Sequence, residues 1–325
     1  MTALLEVENL VIRYPAMGRV RAAVSGQASE FDAVAGVTFA IEAGKTLGLV
    51  GESGSGKSTV ARTLMGLNRA HSGSIRFDGR DITRASAQDY SRLRREVAMM
   101  WQDPVGSLSP RLTVGSLVTE PFRIHGKPAD KGAEAKRLLE MVGLPADFAG
   151  RFPHQLSGGQ ARRVGVARAL ALDPRLIIAD EPTAGLDMSV QAEVLNLLAE
   201  MQDRLGIAIL VITHNLNVVR HITDRMAIMY LGRFVEIGPT ERIFRAPSHP
   251  YTEALLSANP EPDPDAARAR ITLEGEMPSP RSRPDGCEFH GRCPRAQALC
   301  SRVAPKMQGR GAAHRFTCHF PINEE

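Results

Sequence analysis

The sequence lacks any long hydrophobic run. Its longest apolar stretches, at 176–179 and 207–212, are far shorter than the roughly 20 residues that a membrane-spanning helix needs. The opening residues, MTALLE, do not form a basic segment followed by an apolar stretch, so we expect no secretory signal. We therefore expect a cytosolic protein that reaches a membrane only by docking on another protein that crosses it.

Lysine and aromatic residues are also scarce. Aromatic residues make up 5% of the chain, and only six of its 40 basic residues are lysine. The net charge of +4 is spread along the sequence without a dense basic block. Nucleic-acid-binding proteins usually concentrate positive charge on one face or segment, so the sequence predicts no nucleic-acid partner. Weak attraction to anionic lipid head groups also fits this charge.

Cysteine is absent from the first 286 residues. The four cysteines that follow are Cys287, Cys293, Cys300 and Cys318. In a cytosolic protein such a cluster favours metal ligation over disulfides. Four thiolates suit a [4Fe–4S] cluster, and the spacing lacks the C-x2-C pair that structural zinc sites favour. Zinc stays an alternative because three histidines lie near the cysteines, namely His290, His314 and His319. Free thiols and disulfides are further alternatives.

Short apolar runs alternate with helical patterns from residue 46 to residue 232. The run 46–50 precedes a helix predicted over 58–67. The run 176–179 precedes a helix predicted over 189–205, with Ser189 as its N-cap and Gly206 as its stop. Nearly continuous apolar strands separated by helices predict an α/β fold with a mainly parallel sheet covered on both faces.

Three further regions surround this predicted core. Short alternating strands at 1–45 and 73–82 predict an antiparallel β flap, interrupted by an insertion loop at 15–32. Residues 103–165 are mostly helical in pattern, and a proline-rich linker at 260–264 precedes the cysteines. We therefore predict a nucleotide-binding domain at 1–245 with a helical subdomain at 103–165, and a C-terminal extension at 246–325.

Residues 51–58 form a complete G-x-x-x-x-G-K-S phosphate loop. Its glycines let backbone N–H groups surround phosphates, and the following helix N-terminus adds a positive dipole end. We expect Lys57 to reach the β- and γ-phosphates, Ser58 to bind Mg²⁺ and Thr59 to assist at the α/β end. The predicted nucleotide-binding residues of this segment are Gly51, Ser53, Gly54, Ser55, Gly56, Lys57, Ser58 and Thr59.

Five other positions carry groups suited to phosphoryl transfer to water. Asp180 ends an apolar strand, where its carboxylate can hold Mg²⁺, and Glu181 is the predicted general base. Gln102 follows another strand and is predicted to bind Mg²⁺ or its water and to sense the γ-phosphate. His214 follows a third and is predicted to bind the γ-phosphate and orient the water. Tyr14 is the candidate to stack on adenine.

Residues 156–160 read Leu-Ser-Gly-Gly-Gln, about a hundred positions after the phosphate loop. Ser157 is a natural N-cap for a helix predicted over 160–171, whose tip attracts an anion. In this order and spacing, the two motifs resemble ABC (ATP-binding cassette) transporter ATPases over roughly the first 245 residues. The segments 176–181 and 184–187, with Gln102 and His214, extend the resemblance. Ala161, Arg162, Gly165 and Gly185 depart from the family pattern.

Three further segments narrow the resemblance to one subfamily of ABC transporters. Residues 101–111 read WQDPVGSLSPR, residues 249–252 read HPYT, and both are similar to the oligopeptide/dipeptide importers, as is the cysteine tail. The resemblance implies a P-loop NTPase fold that binds ATP and Mg²⁺, with the latter held through Ser58, Gln102 and Asp180. It also implies a [4Fe–4S] cluster on the four cysteines.

The resemblance implies partners as well. A second ATPase subunit, identical or a sister chain, would offer its copy of residues 156–160, the family's signature motif, to ATP in trans. Two membrane permease subunits would dock on 103–125 and receive cargo from a solute-binding protein, which places the chain peripherally at the cytoplasmic face of the inner membrane. The residues predicted to bind ATP in trans are Ser157, Gly158, Gly159, Gln160 and Asp187.

Two other functional classes are alternatives to import. One is a non-transport ABC ATPase acting on DNA or ribosomes, although such proteins carry coiled-coil arms or tandem cassettes that this sequence lacks. The other is a regulatory ATPase that senses iron or oxidation through its tail. Within the import hypothesis, the sequence is compatible with dipeptides, oligopeptides, glutathione or metal chelates as cargo.

Overall fold

A computed structural model describes most of the chain. The described residues are 3–16, 29–101, 103, 106–127, 130–259, 271–310 and 313–323. Gln102, the predicted linker at 260–264 and most of the predicted insertion loop, at 17–28, lie outside them. Within the described residues, no helix combines the length and apolar character that crossing a bilayer requires.

The described strands and helices alternate along most of the chain. The strands are β1 (Ala3–Pro15), β2 (Glu30–Glu42), β3 (Thr46–Val50), β4 (Ser72–Phe77), β5 (Arg80–Asp81), β6 (Val97–Met100), β7 (Leu176–Asp180), β8 (Ala208–Thr213), β9 (Arg225–Tyr230), β10 (Arg233–Pro239), β11 (Gln308–Arg310) and β12 (His314–Phe316). The helices are α1 (Lys57–Leu64), α2 (Ala87–Glu96), α3 (Val114–Ile124), α4 (Lys131–Met141), α5 (Gly158–Leu170), α6 (Met188–Leu205), α7 (Leu216–Ile222), α8 (Thr240–Arg245) and α9 (Pro250–Ser257).

These elements divide between two compact units. The first contains Met1–Leu4, Ile41–Thr46 and Ala85–Ile212, and the second contains Leu5–Ala40, Leu47–Arg84 and Thr213–Glu325. The boundary expected near residue 245 stays a prediction.

The first unit contains parallel strands and the predicted helical segment. β6 pairs with β7, and β7 pairs with β8, in parallel register. β7 and β8 are apolar and buried almost throughout, as expected for parallel strands covered on both faces. Helices α3, α4 and α5, with 3-10 turns at Ala146–Gly150 and Pro153–Gln155, confirm the predicted helical character of this segment.

Helix α6 begins one residue earlier than predicted. Its N-cap is Asp187, whose carboxylate accepts a hydrogen bond from the Val190 backbone N at 3.0 Å. The prediction of Ser189 as the cap was wrong, because its hydroxyl instead donates to the Asp187 carboxylate at 2.7 Å. Gly206 ends the helix in the left-handed conformation, φ 64°, as predicted.

The second unit contains two sheets. One has the strand order β2-β1-β4-β5, with β1 and β4 antiparallel, and confirms the predicted flap. In the other, β3 and β9 run parallel, and β10, β12 and β11 follow in antiparallel pairing. Strands of the C-terminal extension therefore continue the sheet that contains the strand before the phosphate loop.

A buried carboxylate fastens this extension to the sheet. Glu236 is fully buried and accepts hydrogen bonds from the backbone N of Ser248 at 2.7 Å and of His249 at 3.0 Å. The His314 ring lies 2.7 Å from the same carboxylate through Nε2, and its Nδ1 accepts from Arg242 at 3.1 Å. Both ring nitrogens of His314 are thereby engaged, so naming it among the possible zinc ligands was wrong.

His249 makes the stability of this region pH-dependent. It is almost fully buried and its Nδ1 caps α9 by accepting from the Tyr251 backbone N at 3.0 Å. Burial lowers the pKa of His249 from 6.5 to about 4. Since the unfolded chain takes up a proton near pH 6.5, the protein should lose about 2 kcal/mol of stability between pH 7 and pH 5 through this group.

The variant His249→Asn tests this expectation by retaining a capping oxygen while removing the titrating ring. We expect the variant to be less stable at pH 7 but to lose less stability than the wild type between pH 7 and pH 5, measured by urea unfolding. The exposed His71 provides the control, since His71→Asn should follow the wild type. An equal pH dependence in His249→Asn and the wild type would contradict the assignment.

Candidate nucleotide-binding site

The phosphate loop joins β3 to α1 in the second unit, and its glycines are required sterically. A Cβ on Gly51 would lie 2.2 Å from the Met229 carbonyl oxygen. Gly56 has φ 108°, and a Cβ there would lie 2.6 Å from the Ala33 carbonyl oxygen. Neighbouring backbone therefore occupies the space that side chains would need, and the loop can present its N–H groups only with glycine at these positions.

Lys57, the first residue of α1, extends its side chain back to the loop backbone. Its ammonium group donates to the carbonyl oxygens of Gly51 at 2.7 Å and Glu52 at 2.8 Å. Ser55 is fully buried and its carbonyl accepts from the Gly232 backbone N at 2.9 Å. The other predicted residues of this motif lie in the same loop or in the first turn of α1; these are Ser53, Gly54, Gly56, Ser58 and Thr59.

Sequence reasoning missed two C-terminal residues that contact the loop. Arg292 Nη1 donates to both carboxylate oxygens of Glu52, at 3.0 and 3.1 Å. The Tyr251 hydroxyl accepts from the Glu52 backbone N at 3.1 Å, and burial raises the pKa of Tyr251. Tyr251 belongs to the HPYT segment, whose only sequence signal was its similarity to a subfamily, and Arg292 gave no signal beyond its place among the cysteines.

Tyr14, the predicted adenine-stacking residue, lies near the end of β1. Its half-buried ring lies 6.1 Å from the ring of Phe31 with an interplanar angle of 42°. The Arg281 guanidinium lies 5.4 Å from the centre of the Phe31 ring. The contact of Tyr14 with adenine stays a prediction.

The carboxylates predicted to hold Mg²⁺ and to act as the general base both belong to the first unit. Asp180 ends β7 and is 4% exposed. Glu181 follows it with φ 49°, and its backbone N donates to the Ile212 carbonyl at 2.8 Å. A positive φ is unfavourable for glutamate and persists only where the surrounding structure enforces it, which is frequent at functional sites.

Arg162 holds the loop that follows Glu181, and the sequence gave it only as a departure from the family pattern. This buried arginine, in helix α5, donates to the carbonyl oxygens of Glu181 at 3.1 Å, Pro182 at 2.6 Å and Ala184 at 2.5 Å. Burial lowers the pKa of Arg162. The signature helix therefore contacts the loop of the predicted general base directly.

The signature residues form the tip of α5 in the same unit. Ser157 is the N-cap, as predicted, and exchanges hydrogen bonds with Gln160 at 3.3 and 3.0 Å. Gly158 is exposed and Gly159 is half-buried, and a Cβ on Gly159 would lie 2.6 Å from Val190 Cγ1. Val190 belongs to the first turn of α6, the helix that Asp187 caps. The hydrogen bond from the Val190 N lowers the pKa of Asp187.

Gln102 and His214 are the two remaining residues predicted to act from strand ends. Gln102 lies outside the described residues, but Trp101 beside it follows β6 and is 42% exposed. His214 is exposed between β8 and α7, and Asn215 after it caps α7. Their predicted roles toward the γ-phosphate stay predictions.

The four cysteines line one small pocket, together with His290 and His319. Cys287 and Cys300 are joined by a backbone hydrogen bond of 2.7 Å, and none of the four forms a disulfide. Burial raises the pKa of the Cys287 and Cys293 thiols, and that of Cys318 to about 11. Across the described residues, no group of three or more His, Cys, Asp or Glu side chains is arranged to hold a metal ion. The iron–sulfur cluster stays a prediction.

Comparison with protein-family models identifies two matching regions. The model described as "ABC transporter" matches residues 34–184. The model described as "Oligopeptide/dipeptide transporter, C-terminal region" matches residues 235–300. The second match contains the Tyr251 and Arg292 contacts to the phosphate loop.

Similar proteins cover nearly the whole chain. The oligopeptide transport ATP-binding protein AppF of Bacillus subtilis is 45% identical over 293 residues, which are 89% of each chain. The putative oligopeptide transport ATP-binding protein YkfD of the same organism is 44% identical over 327 residues, 99% of this chain and 97% of its own.

Solved structures include the dimeric ATP-binding cassette MJ0796 in a post-hydrolysis state bound to ADP and Pi. It is 28% identical, with a TM-score of 0.63, and the match covers 73% of this chain and 98% of that one. This similarity confirms the predicted α/β P-loop fold. With the two family matches, the relatives show that the chain belongs to the ABC transporter family, as an ATP-binding protein of the oligopeptide/dipeptide transporter type.

Proposed function

We propose that this ATPase powers the import of peptides through a membrane permease. The observation that carries the proposal is a pair of structures suited to binding phosphate, the sterically required glycine loop before α1 and the capped, exposed tip of α5. The names of the relatives indicate peptides as the cargo class. Membrane-bound permease subunits and a solute-binding protein would complete the importer, with this chain peripheral at the cytoplasmic face of the inner membrane.

In this proposal the phosphate loop binds ATP through its backbone N–H groups and Lys57. Ser58, Gln102 and Asp180 would hold Mg²⁺, which neutralises charge on the phosphates. Glu181 takes a proton from the attacking water, and His214 orients that water. Arg162 supports this step by fixing the backbone after Glu181 with its hydrogen bonds to three carbonyl oxygens.

Hydrolysis requires a second ATPase subunit in this mechanism. The signature residues 157–160 and Asp187 would contact the nucleotide held by the partner subunit, where the positive dipole end of the α5 N-terminus favours the γ-phosphate. Two features support an interface here, since Ser157 and Gly158 are exposed and Met188, beside Asp187, is 86% exposed. ATP would then join two subunits, and its cleavage would release them.

The permease would dock on the segment that begins beside Trp101. This residue is the only tryptophan of the chain, and 42% of its surface is exposed. Aromatic side chains are enriched at protein interfaces because they bury a large apolar area. We place the contact with a permease helix at 103–125, with Gln102 linking that contact to the nucleotide.

Glu181→Gln tests the catalytic proposal. The amide cannot accept a proton, so we expect turnover to fall by about 10²–10⁴-fold while ATP binding persists, which traps a nucleotide-filled dimer. Phosphate release and size-exclusion chromatography with MgATP measure the two effects. Glu200→Gln, a change at an exposed carboxylate on α6, is the control and should behave as the wild type. Unaltered turnover in Glu181→Gln would rule out this general base.

Affinity purification from membranes tests the import proposal. We expect the tagged full-length chain to retain two hydrophobic permease subunits, because a protein that couples ATP to transport must bind the pathway it drives. Mass spectrometry of the retained proteins identifies them. A soluble protein whose ATPase activity depends on nucleic acid, and which retains no membrane companion, would instead support a non-transport ABC ATPase.

We also propose that the four cysteines hold a [4Fe–4S] cluster, with zinc as the alternative. Their donor set suits either metal centre, and all four residues line one pocket. Burial raises the pKa of three of the thiols, so metal binding would displace protons from the cysteine sulfurs. This metal centre would stabilise the fold of the extension. Electron transfer is the less suitable role, since no other sequence feature indicates redox chemistry.

The metal content of the intact protein tests this second proposal. Anaerobically purified protein should be brown, absorb broadly near the blue, and contain iron and sulfide in equal amounts. Cys300→Ser should lose that colour because it removes a buried ligand, whereas Ser301→Ala beside it should keep the colour. A colourless preparation containing zinc would contradict the iron–sulfur cluster.

A further inference from the structure

Glu52 places a negative charge in a loop that we propose binds a negatively charged ligand. It is the second residue of the phosphate loop, and its carbonyl accepts from the Lys57 ammonium at 2.8 Å. An unpaired carboxylate this close to the phosphate-binding lysine would repel ATP, since like charges a few ångströms apart interact by about 1 kcal/mol even in water. The loop therefore needs a compensating cation for Glu52.

Arg292 supplies that cation from a position 240 residues further along the chain. One guanidinium nitrogen bonds both carboxylate oxygens of Glu52, at 3.0 and 3.1 Å. The Arg292 side chain is 9% exposed and that of Glu52 is 30% exposed, so solvent screens this pair less than an ordinary surface ion pair. The guanidinium also lies 5.9 Å from the centre of the Tyr230 ring.

The C-terminal extension positions Arg292 through a short turn that follows a buried aromatic residue. The residue ends the 3-10 turn His290–Arg292, which lies between Cys287 and Cys293. Phe289, just before the turn, is buried and its ring centre lies 5.3 Å from those of Tyr230 and Tyr251. Holding the guanidinium in place before ATP arrives reduces the ordering cost of binding.

Tyr251 fixes the backbone of the same loop residue. Its hydroxyl accepts from the Glu52 backbone N at 3.1 Å. The extension therefore contacts Glu52 at both its backbone and its side chain, and these contacts all lie within the second unit.

We infer that Arg292 is a positioning residue for ATP, which neutralises Glu52 and so permits the phosphate loop to accept the triphosphate. The inference rests on the proposed ATP-binding role of the loop. It makes the C-terminal extension part of the nucleotide site and not only a structural addition to the cassette.

A double-mutant cycle that removes each charge in turn tests the inference in the full-length protein. Arg292→Met removes the cation but keeps a long apolar side chain, and we expect the MgATP dissociation constant to rise about tenfold, which is about 1.4 kcal/mol. This rise should exceed the effect on kcat and should shrink at high salt, which partly screens the charge that Glu52 carries without its partner. In Glu52→Gln/Arg292→Met the carboxylate is gone, so binding should return to within about threefold of the wild type.

Two further variants serve as controls. Arg292→Lys keeps the positive charge and should bind MgATP within about threefold of the wild type. Arg295→Met changes an arginine of the same segment that pairs with Glu253, at 3.6 Å, and should leave the dissociation constant unchanged. Thermal unfolding of each variant reports whether the extension stays folded, and Arg292→Lys with Glu52→Gln tests the charge argument if Arg292→Met does not fold.

Three outcomes would overturn the inference. The first is tight MgATP binding by Arg292→Met, and the second is a double variant that binds as weakly as Arg292→Met, which would assign the loss to packing. In Glu52→Gln alone we expect binding at least as tight as in the wild type, and clearly weaker binding would also overturn the charge argument. Failure of the wild type itself to bind MgATP would instead refute the proposed function.

Discussion

The absence of space for side chains in the phosphate loop is the constraint on which the rest of the structure depends. Carbonyl oxygens of Met229 and Ala33 occupy the positions that a Cβ on Gly51 or Gly56 would need. These neighbours belong to β9 and β2, so strands far apart in sequence shape the loop. Because the extension continues the β9 sheet and contacts Glu52, it belongs to the surroundings that hold this loop. A phosphate-binding motif of eight residues is thus shaped by much of its unit.

In the first unit, the N-terminus of α5 is shaped by local hydrogen bonds and not by distant strands. Ser157 caps the signature helix by a local capping box, and the exposed positions of Ser157 and Gly158 leave its tip accessible. One turn further, Arg162 turns inward and bonds three carbonyl oxygens of the loop after Glu181. The helix that is proposed to contact the partner's nucleotide therefore also fixes the backbone beside the proposed general base. A displacement of α5 would therefore also move the backbone at Glu181, because these hydrogen bonds connect the two.

Sequence patterns predicted the features that neighbouring residues encode, namely the apolar strands, the flap, the phosphate loop and the Ser157 cap. They misplaced the α6 cap because Asp187 and Ser189 are both good capping residues, and only the backbone conformation decides between them. They assigned His314 to the cysteines by proximity in sequence, whereas pairing of β12 with β10 brings it to Glu236. The contacts of Arg162 and Arg292 could not be predicted because their partners lie 19 to 22 and 240 positions away, distances that no periodicity encodes.

Vanadate-dependent photocleavage of the intact transporter tests most directly whether ATP lies between a phosphate loop and a signature helix. Vanadate replaces the γ-phosphate after hydrolysis, and ultraviolet light then cuts the backbone that contacts it. With MgATP present, cleavage is predicted both within residues 51–58 and within residues 157–160, and Glu181→Gln should abolish both cuts. Cleavage confined to 51–58 in a complex that hydrolyses ATP would contradict the sandwiched nucleotide.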